Sequence, residues 1–385
     1  MRKLFPAAFF IGLYQPKRTK ENLLEKMNLH APINQLSYGV VGYNLWRQLT
    51  DIADVTLWPI GPIQPPVNIT GDVEYKIDRD LLQKDINKGD NFDPTLYTLK
   101  LWHENQMAER IGKGPLIALP FFEVNKFNDR RKTHLSSADK IIVTSKWAAD
   151  IVEKELGRRP FVVPCGVDRG IFNERSNEVN PHTCVFANFG KFEKRKSHDI
   201  LGEAFKAAFS NGEDVSLWMM TDNIFLQPHE KAEWESKYRG DNRVQFIPRV
   251  QYQNEVAQIM SRAFCGVFPS RAEGWNLGLL EMMSMGKHVI ATNYSAHTEF
   301  CTEDNCKLID IVEEEPMYDG KWFVGDNGTW ASLEGAPFDQ LVEHMRDVYN
   351  LWVSQPALIN REGVATAEYL TWNRMAEGVL NCIQT

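Results

Sequence analysis

The sequence predicts an α/β protein of two layered domains facing each other across a cleft, and three observations carry that prediction. At 385 residues the chain is long enough for about two domains of ordinary size, each with its own core. Short apolar segments alternate with helix-like segments in both halves, the pattern of α/β layers rather than of an all-β or all-α fold. A strand-like run, Cys265-Gly-Val-Phe-Pro-Ser270, leads through a glycine-containing turn into a helix-like segment, placing polar residues just past a strand's carboxyl end. Ligands of open α/β sheets bind there.

The elements follow in order. Phe5–Tyr14 reads as a first buried strand. It superficially resembles a signal peptide, but its apolar core is short, holds Pro6, lacks a small-residue cleavage site and gives way to Gln15-Pro-Lys-Arg18. A long polar loop to about residue 38 comes next, then a helix from about Val41 to Thr50 and a strand at Asp54–Pro59. Thr95–Trp102, Leu116–Phe122 and Lys140–Thr144 are further strands, and Ser145–Leu156 is a helix opening on a capping serine. The second half restarts with a strand at Thr183–Asn188 and a helix from about Asp199 to Phe209. Strands are expected at Val215–Thr221, Val244–Pro248, Gly266–Pro269 and Val289–Thr292. Residues 312–336, acidic and then rich in Gly, Asp and Asn, read as a surface excursion with little structure. A final helix begins near Thr371-Trp372 and runs to Ile383.

Composition narrows the function. Hydrophobic content of 43% and charged content of 24% are those of a soluble globular protein. A formal charge of −8 argues against a general nucleic-acid binder, while leaving room for a local basic cleft. No apolar run reaches the ~18 residues of a membrane helix. Six scattered cysteines form no Cys-x-x-Cys pair, which suits buried reduced thiols rather than disulfides or metal ligands. Sequons at Asn68, Asn293 and Asn327 carry no weight without export. A cytoplasmic protein is expected.

The most informative residues are Glu273-Gly-Trp-Asn-Leu-Gly-Leu-Leu-Glu281. A loop feeding a helix leaves unpaired N–H groups that suit a phosphate or a polar sugar. Glu273 stands on the loop's shoulder and Glu281 in the first turn or two of the helix, so both carboxylates can face one polyhydroxylated ligand. Gly286-Lys-His-Val-Ile-Ala-Thr292 supplies the next strand. With these flanks, the paired glutamates resemble those of the retaining GT-B glycosyltransferases of family 4. Tyr294-Ser-Ala-His-Thr-Glu299 is similar to that family's next loop, and Pro164-Cys-Gly-Val-Asp168 to its hinge-proximal segment.

The resemblance implies GT-B architecture: a Rossmann-like acceptor domain over 1–168, a Rossmann-like nucleotide-sugar domain over 169–365, and a helix over 366–385 crossing back to the first. It implies retaining hexosyl transfer from a nucleoside-diphosphate sugar, with no cofactor and no metal. Glu281 resembles the glutamate that accepts from the nucleotide ribose, and Glu273 the one near the transferred sugar. Backbone groups of Gly274, Trp275, Asn276, Leu277 and Gly278 would hold sugar and phosphate oxygens. Trp275 stands where phenylalanine is common, and Asn276 where glycine is common.

A departing diphosphate gains charge, and cations aimed at it lower the barrier. Gly190-Lys191-Phe-Glu-Lys-Arg195-Lys196 supplies them and resembles the family's Gly-Arg…Lys-Gly segment, with Lys196 at the family lysine and Lys191 where arginine is common. Lysine lacks arginine's bidentate fork, a loss that Arg195 can make good. Ser37-Tyr-Gly39-Val-Val-Gly42, preceding a helix, looks like the family's glycine loop, where small residues let backbone approach the diphosphate. On the acceptor side, the stretch Leu119-Pro-Phe-Phe-Glu123 lacks the family's cleft histidine. Glu123 or His103 takes its place, or the acceptor is handled otherwise. Asp78-Arg-Asp80 has the Asp-x-Asp pattern of metal-dependent transferases but opens a polar helix-like segment, and reads as a surface match.

Two other classes stay open. One is a non-catalytic or degenerate GT-B sugar-nucleotide binder, and the other a GT-B epimerase or phosphorylase. The acceptor, a saccharide or another hydroxyl compound, is not specified by the sequence.

Overall fold

The computed structural model describes residues 25–68, 76–176, 178–324 and 328–385. The strand expected over Phe5–Tyr14 and the sequon at Asn327 lie outside them. The first sheet has six parallel strands: β1 (Glu25–Ala31), β2 (Ala53–Pro59), β3 (Thr98–His103), β4 (Leu116–Phe121), β5 (Lys140–Val143) and β6 (Phe161–Val162). Their order is β2-β1-β3-β4-β5-β6. The second sheet has β7 (Cys184–Phe189), β8 (Val215–Met220), β9 (Val244–Phe246), β10 (Cys265–Phe268), β11 (His288–Thr292) and β12 (Lys307–Ile309), ordered β12-β11-β10-β7-β8-β9 and also parallel. A hairpin of β13 (Glu314–Pro316) and β14 (Thr329–Ala331) stands apart from both.

The helices of the first half are α1 (Ser37–Leu49), α2 (Lys76–Asn87), α3 (Asp129–Ser136) and α4 (Lys146–Leu156). The second half adds α5 (Leu201–Ala208), α6 (Pro228–Ser236), α7 (Gln253–Ser261) and α8 (Leu277–Ser284), then α9 (Ala336–Ser354), α10 (Arg361–Tyr369) and α11 (Trp372–Gln384). In each sheet the winding reverses once, between β1 and β3 and between β7 and β10. Chain segments leaving such a pair diverge, and the crevice between them is where an α/β sheet presents its ligand site.

Three expectations are corrected. Residues 25–31, expected within a polar loop, form β1. Met27, Leu29 and Ala31 are wholly buried, but Lys26, Asn28 and His30 alternate with them and hide the run's strand character. The buried Asn28 has its Oδ1 satisfied by Trp58 Nε1 at 2.9 Å, while its Nδ2 has no partner among the described residues.

The helix expected from Val41 begins instead at Ser37, so Gly39 and Gly42 lie within its first turns rather than in a preceding loop. A Cβ at Gly39 would stand 2.3 Å from Asn34 N, and one at Gly42 2.0 Å from Pro32 O. Glycine is required there because the loop leaving β1 lies directly on the helix.

Residues 312–336 are the third correction. The excursion carries β13 and β14, and Trp330 is wholly buried with its indole N–H donating to Glu123 O at 2.9 Å. Asn125 pairs with Thr329 in both directions, at 2.7 and 2.9 Å. The hairpin of the second half thus clasps the first. Its Gly, Asp and Asn residues signal turns, but the anchor is a tertiary contact that composition does not show.

Other elements form as their residues dictate. Ser145 Oγ caps α4 by accepting from Ala148 N, and Thr371 caps α11 by accepting from Arg374 N. The apolar stripe of α11, including Met375, Val379 and Leu380, is buried, and the helix packs on α1 of the first half. Lys140 Nζ donates to the carbonyls of Cys382 and Ile383 at 3.0 and 3.1 Å, supplying a cation at the helix end that needs one. All six cysteines are buried and free. No helix among the described residues is long and apolar enough to cross a membrane.

The fit of α1 under its loop gives a direct test. Gly42→Ala is expected to destabilise the protein by about 1–3 kcal/mol, the usual cost of overpacking. The urea midpoint should fall accordingly, and an unchanged midpoint would show that the loop gives way freely.

Candidate active site

The loops leaving β7 and β10 meet around one carboxylate. Glu273 is 4% exposed, yet both its oxygens are engaged. Lys196 Nζ donates to Oε1 at 2.6 Å, joined there by Ser270 Oγ at 2.8 Å, and Arg195 Nη1 donates to Oε2 at 2.8 Å. Burial alone would raise this carboxyl's pKa, but Lys196 and Arg195 outweigh burial and hold it well below the usual carboxylate range. Its own N–H donates to Ser295 Oγ at 2.8 Å, which fixes the backbone as well as the side chain.

Arg195 is itself buried and faces inward. Besides Glu273 it donates to Ala272 O at 2.7 Å and to Glu193 Oε2 at 2.7 Å, and Glu123 of the first half stands 4.0 Å away. It therefore orients the carboxylates rather than serving as a free phosphate ligand. Lys191 sits at the rim, 3.2 Å from Glu193 Oε1. Lys196 closes over Gly190, where φ is +147° and a Cβ would lie 2.9 Å from the lysine Cδ. Arg271, two residues before Glu273, staples the two loops by donating to both oxygens of Asp199 at 2.7 and 2.9 Å and to Lys194 O at 2.6 Å.

The segment after Glu273 is arranged differently from its sequence reading. Gly274 O accepts from Thr144 Oγ1 at 2.7 Å, and a Cβ at Gly274 would come 3.2 Å from Phe122 O, so this glycine serves the contact between the domains. Trp275 turns its indole into the core, 4.7 Å from the Phe300 ring, rather than toward a ligand. Asn276 has φ +87°, and its Oδ1 caps α8 by accepting from Leu279 N. Outside glycine, asparagine is among the residues that best tolerate this conformation, which explains its presence where glycine is common. Asn276 Nδ2 donates to His297 Nε2 at 2.9 Å, leaving the ring proton on Nδ1 for Thr292 O at 3.1 Å. Burial holds His297 near pKa 4, consistent with a neutral ring. Leu277 and Gly278 open α8, where helix N–H groups lack intrahelical acceptors.

Glu281 lies apart from this cluster. It faces a tight crevice against α1, lined by Val40, Asn44, Asp168, Gln253 and Trp372. Among the described residues nothing donates to its carboxyl, and burial lifts its pKa to about 8.

On the opposite wall, Tyr38 OH donates to Phe121 O at 3.2 Å and lies 3.0 Å from His103 Nδ1. Burial, then the carboxylates of Glu123 and Glu104, raise the Tyr38 hydroxyl well above its ordinary pKa. Burial likewise raises Glu123. His103 and Glu123 thus lie on the first-domain wall of the cleft that holds the basic loop. Asp78 accepts from Tyr43 OH at 2.6 Å inside the α1–α2 contact while Asp80 is exposed, so the Asp-x-Asp pair does not act as a unit. No metal-binding group of His, Cys, Asp or Glu occurs among the described residues. The sequence reading quoted Glu193, Ser270, Tyr38, Ser295 and His297 within its motifs but gave none of them a role at the site. Their positions in those motifs hinted at them, but the φ of +53° at Ser295 is not legible in sequence.

Residues 183–316, the second sheet and its site loops, match the family described as glycosyl transferases group 1. An uncharacterized glycosyltransferase of Methanocaldococcus jannaschii is 28% identical over 231 residues, 56% of this chain and 60% of that relative. Thus the matched stretch spans less than two thirds of the relative's length. Sucrose-phosphate synthase of Thermosynechococcus elongatus superposes with a TM-score of 0.65 at 15% identity, over 94% of this chain and 98% of that one. HepE of Anabaena, solved with UDP and glucose, gives 0.65 at 14% identity, over 94% and 100%. At these identities the likeness is one of fold: the two facing Rossmann-like domains are GT-B architecture.

Two outcomes follow from the electrostatics. Glu273→Ala strands the buried Arg195 and the half-buried Lys196 and should cost about 3 kcal/mol or more, seen as a large drop in the thermal midpoint. A drop no larger than that of a surface substitution would mean that water replaces the carboxylate. Glu281 binds its proton more tightly folded than unfolded, so the folded state holds an extra proton between about pH 4.5 and 8. Stability should decline as pH rises through that window, and Glu281→Gln should flatten the decline.

Proposed function

We propose that the protein is a retaining GT-B glycosyltransferase of family 4, moving a hexose from a nucleoside-diphosphate sugar to an acceptor hydroxyl. The observation that carries this reading is the convergence of Lys196, Arg195 and Glu273 where the loops after β7 and β10 diverge, in a segment matching glycosyl transferases group 1. The UDP and glucose bound by HepE support a nucleotide-sugar donor and make UDP-glucose the first to test.

In the proposed reaction the bond between the anomeric carbon and the diphosphate oxygen breaks, and the electron pair leaves with the diphosphate. Lys196 and Lys191 stabilise that growing charge, so cations rather than a metal ion serve the leaving group. The Leu277 and Gly278 N–H groups at the start of α8 offer further donors. Glu273, held ionised by its two cations, stabilises positive charge developing on the sugar. The acceptor oxygen bonds to the same carbon, and its proton passes to the departing phosphate oxygen. Glu123 and His103 lie on the wall where an acceptor would enter. Glu281, lodged against α1, takes the ribose hydroxyls in this reading, a neutral carboxyl being able both to donate and to accept.

Incubation with UDP-glucose, GDP-mannose and ADP-glucose is expected to release nucleotide from one of them, with EDTA without effect. Lys196→Ala should slow turnover roughly 100-fold or more, the scale on which single charge-stabilising donors act. Absence of nucleotide release and of thermal stabilisation by UDP, GDP and ADP would overturn the proposal.

A further inference from the structure

We infer that the exposed rings of Phe225 and Trp322, packed edge to face next to Lys191, form an angled aromatic platform that seats a saccharide acceptor at the mouth of the cleft. This inference rests on the glycosyl-transfer reading above and adds the chemical class of the acceptor.

The two rings come from different loops. Phe225 follows β8, and Trp322 lies in the turn between β13 and β14. Their centroids are 6.0 Å apart at 79°, and they are 44% and 48% exposed. Ile224 and Tyr318 on the same loops are also exposed. The patch is therefore a local concentration of apolar surface rather than scattered single residues.

Its exposure is built into the backbone. Asp319 Oδ1 accepts from the N–H groups of Lys321, Trp322 and Phe323 at 2.9, 2.8 and 2.9 Å. Lys321 Nζ donates to both oxygens of Glu230 at 2.7 Å and to Phe225 O at 3.3 Å, tying one loop to the other. Phe323, the next residue, packs edge-on against buried Trp330 at 4.8 Å. Phe225 N donates to Asn223 Oδ1 at 3.0 Å, and Asn223 Nδ2 donates to Phe192 O at 3.1 Å. Each exposed ring thus sits on a backbone held on both sides.

Lys191 joins the platform to the charge cluster. Its ammonium lies 5.1 Å from the Phe225 centroid and 3.2 Å from Glu193, which in turn holds Arg195. A pyranose ring matches this corner: its face of C–H groups can lie on one ring while its edge meets the other, with a rim of hydroxyls for Lys191. The nearby charges are paired, Lys321 with Glu230 and Lys231 with Asp222, so no surplus of positive charge is left to draw an anionic lipid surface.

Ligand-observed saturation-transfer NMR on the full chain, with maltotriose, cellotriose and triacetylchitotriose as probes, tests this. The protein should bind at least one of them. Trp322→Ala and Phe225→Ala should each weaken binding about tenfold, and Trp322→Phe should restore most of it. The UDP-induced thermal shift, measured on the same samples, should be unchanged. Failure of all three saccharides to bind, or equal binding by the alanine variants, overturns the inference. So does a loss confined to UDP affinity, which would make the rings a base-stacking surface. Release of the protein from phosphatidylglycerol vesicles by Trp322→Ala, with saccharide binding unaltered, overturns it as well. Absence of any UDP shift in the unaltered protein counts against the donor reading instead, while the saccharide signals still decide the platform.

Discussion

A carboxylate taken out of water costs several kcal/mol unless opposite charge and hydrogen-bond donors meet it, and Glu273 is met on both oxygens. The partners come from two loops that leave neighbouring strands of a parallel sheet. Neither loop has regular structure of any length, and each would be mobile alone. Arg195, Lys196 and Ser270 around Glu273, with Arg271 on Asp199, convert them into one rigid body. The positive charge that lines the cleft is thus also the charge that holds the cleft in shape.

That double use shapes the chemistry. Arg195 is spent on Glu273, Glu193 and the Ala272 carbonyl, so the cation closest to the centre acts by orienting acids. Lys196, slightly exposed, and Lys191 at the rim remain nearer the open cleft. The two acids of the motif also divide in character. Glu273 is held ionised by its cations, while Glu281, buried without them, keeps its proton to about pH 8. Eight positions on one segment give two carboxyls opposite electrostatic environments.

The relation of the two domains is set by contacts that no single element predicts. Thr144 reaches Gly274, Glu299 accepts from Lys146 N at 2.8 Å, and the β13–β14 hairpin plants Trp330 under Glu123. The helix α11 returns to pack on α1, with its end held by Lys140. These contacts bring His103, Tyr38 and Glu123 to the wall opposite the basic loop. The same hairpin that ties the domains also holds Trp322 at the cleft's rim.

The sequence by itself determined the alternation of strands and helices, the caps at Ser145 and Thr371, and the glutamate and lysine segments past β10 and β7. These are local: hydrophobic period, turn residues and capping side chains act within a few positions of one another. It did not show β1, whose buried Asn28 accepts from Trp58 of the neighbouring strand. Nor did it show that the loop leaving β1 lies against Gly39 and Gly42, which sit inside α1. It did not show that the Trp275 side chain packs against Phe300 or that Asn276 forms a left-handed helix cap. Tertiary structure alone decided which cations meet Glu273, because a buried charge is stabilised by neighbours in space, and Arg195 lies 78 positions away along the chain.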